Sequence, residues 1–127
     1  MRYRLVLACL AATIICAPAA QAQCMKAMGE ARAQGYLTVG RFSDAAGRAE
    51  TAYILRLTRP VCLDGAEDRE ARKGTRRVHL FSPDARLGRN IQRLVGRNVI
   101  VSGTPFGQHT SHHHAPIVMT VTDIRTR

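Results

Sequence analysis

The chain has 127 residues, with 19 Lys and Arg against 9 Asp and Glu, a formal net charge of +10, and no Trp. That length allows one small domain, and with three Phe and three Tyr its core must come from Val, Ile, Leu, Ala and Met. Positive charge favours anionic partners such as lipid headgroups or acidic polysaccharide, but the charges are spread along the chain and read first as a solvated, Arg-rich surface.

Residues 1–22 open with Arg2 and Arg4, run through an apolar stretch to Cys16 and reach Ala20-Gln21-Ala22. A cationic start, an apolar middle and a small-x-small end are the three parts of a secretory signal peptide. The apolar stretch is short for a bilayer span and no second one follows. Lipidation is disfavoured because Gln23, not a small residue, precedes Cys24. The expectation is cleavage after Ala22 and a monomeric domain over 23–127, periplasmic or secreted, with no transmembrane segment. Cleavage removes Cys9 and Cys16 and leaves Cys24 and Cys62, an even pair expected to form a disulfide in an oxidising compartment. Such a bridge contributes roughly 3.5–4 kcal/mol on the chain-entropy account. Without a Cys-x-x-Cys, a metal or redox pair is disfavoured.

Residues 23–34 read as one or two helical turns leading into a strand. Residues 36–42 alternate as the first strand, and 43–48 form a polar turn. Over 51–63, Tyr53, Leu55 and Leu57 share one face of a second strand while Arg56 and Thr58 share the other, and Pro60 marks its end or a bend. The mixed-charge run 64–77 reads as a solvated loop. With no aromatic interleaved for base stacking, it is a poor nucleic-acid patch. Residues 77–81 make a third strand with Val78 and Leu80 on one face, so His79 is expected to be half-exposed and apart from the other histidines. The period then changes. Leu87, Ile91, Leu94 and Val95 line one side of a helix over 84–95, capped by Ser82 or Asp84 and stopped at Gly96. Residues 99–103 and 117–124 are the fourth and fifth strands.

Three strands, a helix and two more strands are the element order of an OB-fold, a five-stranded Greek-key barrel. The fold class is therefore mainly β, an OB-like barrel with one helix between the third and fourth strands. The alternative is an α+β sandwich.

Arg59-Pro60-Val61-Cys62, the stretch from Leu94 to Phe106 and above all His109-Thr110-Ser111-His112-His113-His114-Ala115-Pro116-Ile117-Val118 resemble a family of secreted bacterial proteins known only as domain of unknown function 4431. The resemblance extends over nearly the whole mature chain. It implies an exported protein with this histidine loop and no established activity.

Four of the five histidines thus lie in one loop between the last two strands, beside the usual ligand face of such a barrel. His109, Thr110, His112, His113 and His114 are the candidate ligand-binding residues. His109, His112 and His114 are a candidate metal set for Zn or Cu, leaving one coordination position open. No acid near them in sequence orients the rings, and no firm cofactor follows. The competing structural reading is that the rings shape a tight hairpin by hydrogen-bonding the main chain and Thr110 or Ser111. Catalysis is disfavoured: no Gly-x-Ser-x-Gly elbow accompanies Ser102 or Ser111, and Asp123 is only a distant third member. The function expected first is an exported binding module presenting the histidine loop to a polar or anionic envelope partner. The alternatives are a metal-binding protein or metal-dependent hydrolase, and a purely structural envelope protein.

Overall fold

The computed structural model describes residues 12–17 and 23–127. The expected signal segment and its cleavage point therefore lie, apart from 12–17, outside the described residues. Among the described residues eight elements follow in chain order: β1 (Gln23–Lys26), β2 (Ala31–Ser43), β3 (Ala49–Asp64), α1 (Arg69–Lys73), β4 (Thr75–Phe81), α2 (Ala85–Arg93), β5 (Asn98–Gly107) and β6 (Ile117–Thr126).

The five long strands close on themselves. Neighbours run β3-β2-β5-β6-β4, and β4 pairs back onto β3. All these ladders are antiparallel except β4 with β6, which is parallel. That is the Greek-key connectivity of an OB-like barrel, so closure removes the edges that an α+β sandwich would leave open. The inward rows meet in one core, with Leu37, Leu55, Val78, Leu80, Val99, Val101, Ile117 and Met119 all fully buried. Burying each such side chain stabilises by about 1.5–3 kcal/mol before entropy is counted. No Phe takes part in it.

The expected helix is α2, between the third and fourth long strands. The Asp84 side chain caps it by accepting from Leu87 N–H at 2.9 Å, Ile91 buries into the core at 1 % exposure, and Gly96 follows with φ +85°. Two expectations are corrected and a third is narrowed. Residues 23–34 hold no helical turn: β1 pairs parallel with residues 61–64 of β3, Met25 is buried, and β2 already begins at Ala31. The charged run contains the short helix α1, because Asp68 caps it through Ala71 N–H at 2.8 Å and Ala71 is fully buried. Strand β3 runs past Pro60, where its register against β4 shifts between Arg56 and Val61 and its end turns to β1. A proline is tolerated at such an irregularity because no ladder bond needs its missing N–H.

At that end Cys24 sits in register with Cys62, and the two form the disulfide. Among the described residues no helix is long and apolar enough to cross a membrane.

Candidate functional site

The loop 108–116 between β5 and β6 folds back along the outside of the barrel. Its ends are tied by Gln108 N–H to the Pro116 carbonyl at 3.2 Å and by the Gln108 side-chain amide to Asp68, the α1 cap, at 3.2 Å. Inside it, His113 N–H donates to the Thr110 carbonyl at 3.1 Å and His112 N–H to Thr110 Oγ1 at 3.3 Å. The outer face of β3 gives the loop something to cover. Ala52 and Ile54 point away from the main core, and with Ala115 and Phe42 they make a second, smaller apolar cluster.

Three clasps hold the loop down. Glu50, at the start of β3, receives His112 through Nδ1 at 2.8 Å on one oxygen and His114 through Nε2 on the other. Hydrogen bonding from His112, and then from His114, holds the Glu50 carboxyl below the usual carboxylate range. Phe42 is the cross-strand partner of Glu50 and stacks flat on the His114 ring, with centroids 4.3 Å apart. On β4, His79 is 8 % exposed and its Nδ1 accepts the main-chain N–H of His114 at 3.2 Å. Burial pushes His79 down to about 4, and the neighbouring His114 and His113 push the same way.

The remaining rings pack around these. His113 Nδ1 accepts from the N–H groups of His109 at 3.1 Å and Thr110 at 3.3 Å, and burial first, then the nearby His109, holds this imidazole below its ordinary value. His109 is exposed and meets His113 edge-on at 4.7 Å and Phe106 at 5.6 Å. Phe106 in turn touches His113 at 5.3 Å and Phe81 at 6.2 Å. All five histidines and all three phenylalanines of the chain therefore gather on one outer wall. An open cleft of about 310 Å³ lies among them, lined by Glu50, Thr51, His79, Phe81, His112 and His113.

Of the predicted site residues, His112 and His114 come together on Glu50, His109 and His113 pair with each other, and Thr110 braces the turn. Among the described residues no group of three or more His, Cys, Asp or Glu is placed to hold a metal ion. Two sequence expectations change. An acid does orient the rings, but Glu50 comes from another strand, 62 residues from His112 and 64 from His114. His79 belongs to the cluster, because the loop covers the face on which it stands. Glu50, Phe42, Phe81 and Phe106 were also absent from the sequence-based set. A signal for the covered face existed: His79 and Phe81 alternate together on the side of β4 opposite Val78 and Leu80, and a large apolar ring there marks a face that something else meets.

No curated protein matches the chain. Residues 77–125 match the family described as Domain of unknown function (DUF4431). This span is narrower than the resemblance read from the sequence, since it leaves out Arg59 to Cys62 and the disulfide. It runs from β4 through α2, β5 and the loop to β6 and contains all five histidines. Over that stretch, the part of the barrel that carries the imidazoles, this chain resembles the DUF4431 family.

Proposed function

We propose that this protein is an exported binding module whose ligand site is the cleft under the loop 108–116, taking a polar or anionic partner at the cell envelope. The observation that carries this reading is the placement of the phenylalanines. A chain with three Phe places none in its main core and lets Phe81 stand 38 % exposed beside a cleft rimmed by histidines. Aromatic side chains are worth most when buried, so keeping them on an outer wall costs core stability that a ligand site explains. The loops at this end of an OB-like barrel border its customary binding face. The net positive charge of the whole chain raises the local concentration of anions. A disulfide and the absence of a membrane-crossing helix among the described residues are compatible with export. Binding is preferred to catalysis because, among the described residues, no hydroxyl or thiol hydrogen-bonds a histidine ring.

The test is a fragment screen followed by two-dimensional amide NMR of the purified protein. Bound fragments are expected to shift Thr51, Phe81, His112 and His113, and Phe81→Ala should weaken them about ten-fold, as loss of a buried aromatic anchor does. Shifts scattered over the Arg-rich surface, or indifference to Phe81→Ala, would overturn the reading. A structural role for the loop is the second reading, supported by the hydrogen bonds that already engage His79, His113 and His114. It expects replacement of His109, His112, His113 and His114 to lower Tm while no ligand binds. The metal alternative, Zn or Cu on His109, His112 and His114, is separated by calorimetric titration of those ions into the protein and into its His109→Ala variant.

A further inference from the structure

We propose that the cleft is built for a small organic carboxylate bearing a flat apolar group, its oxygens accepting from His79 and His113 and its apolar end lying on Phe81. The inference rests on the reading of the cleft as a ligand site and adds the chemistry that site selects. It starts from tautomers. His79 Nδ1 accepts the His114 N–H, and His113 Nδ1 accepts the N–H groups of His109 and Thr110. A ring nitrogen that accepts a main-chain N–H carries no proton, so each neutral imidazole must carry its proton on Nε2. Both rings are thereby fixed as donors.

Neither Nε2 has a partner among the described residues, and no fully buried side-chain nitrogen or oxygen is left unpaired there. Both Nε2–H groups therefore keep contact with solvent, on rings that line the cleft. The two rings stand side by side, their centroids 6.4 Å apart, within the reach of one small ligand. Glu50, the one acid lining the cleft, is turned to the loop, with one oxygen on His112 and the other on His114. Phe81 closes one side with an exposed ring braced edge-on by Phe106. Two fixed donors beside an apolar plate suit an acceptor-only head on a flat body. An ammonium head finds no acceptor on His79 or His113, so these two rings discriminate against it.

Nitrogen-15 NMR of the imidazole rings in the purified protein, titrated with benzoate and with benzylamine, tests this. The expected result is Nε2–H on both His79 and His113, both signals moving with benzoate, and benzoate bound at least ten-fold tighter than benzylamine. His113→Phe keeps a ring but removes both the Nε2 donor and the Nδ1 acceptor of the His109 and Thr110 N–H groups, so its amide shifts over 108–116 are read alongside to show the loop in place. It should weaken benzoate about ten-fold, the scale of one hydrogen bond to a charged group, and Phe81→Ala should weaken it similarly. Protons found on Nδ1, or benzylamine bound in the cleft as tightly as benzoate, overturn the donor pair while leaving the ligand site standing. If neither compound moves a cleft residue, the carboxylate assignment falls, and the site itself is judged by the wider fragment screen.

Discussion

Glu50 is the residue on which the loop depends, since one carboxylate joins two imidazoles from a segment more than 60 positions away. Glu50→Ala is expected to lower Tm and to speed amide exchange across 109–114, with the exchange of core residues such as Leu55 and Val101 less affected; hydrogen-exchange NMR checks it. His79 brings a pH dependence whose sign follows from its neutral role. Its folded value of about 4 lies below the ordinary 6.5, so the folded state resists the proton. The stability it contributes is complete above pH 6.5 and is lost as pH falls from there toward 4. A Tm profile from pH 7 to pH 4 should decline, and His79→Gln should flatten that decline. Glu50, also held low, keeps its contribution above its ordinary 4.5 and loses it only below, so the two groups separate along the same profile. Neither role was legible in the local sequence. His79 reads as an ordinary strand residue until the loop lies on it, and Glu50 falls between the polar turn 43–48 and the strand from 51 with nothing local to single it out.

At the scale of elements, periodicity located the five long strands and α2, because each buries one face against the same core and so carries the period of its geometry. Short or irregular pieces were less legible. β1 is held by a disulfide and α1 by a cap and one buried Ala, features too local to produce a repeat. Two glycines test how tightly the elements are joined. At the β5–β6 irregularity, a Cβ on Gly103 would stand 2.3 Å from the Thr120 carbonyl oxygen. Gly103→Ala should therefore cost about 1–3 kcal/mol through forced separation of the strands. On α2 a Cβ on Gly88 meets nothing within 4 Å, so Gly88→Ala should stabilise by about 0.5–1 kcal/mol. Urea unfolding of the two variants measures both, and opposite signs are the expected outcome.

The whole molecule is a closed barrel with a clasped loop on its outside and a staple at one end. The staple joins β1, which takes no part in closure, to β3. Replacing Cys24 and Cys62 together by Ser should lower stability by roughly 3.5–4 kcal/mol on the chain-entropy account, read as a shift in the denaturant midpoint. Because the barrel closes without β1, amide shifts around the cleft are expected to stay in place in that variant.

Composition, the even cysteine pair left after residue 22 and the alternation of apolar residues were enough to predict an exported, disulfide-bridged β-barrel, and the bridge and the barrel are what the structure contains. Local pattern records which side of an element is apolar, and closure of a small barrel follows from satisfying those sides and their ladder bonds together. Which outer face the loop 108–116 would cover was a different matter. That was decided by contacts between β2, β3, β4 and the loop, at sequence separations that no periodicity encodes, and only those contacts turned a run of histidines into two clasps on Glu50 and two fixed donors over a cleft.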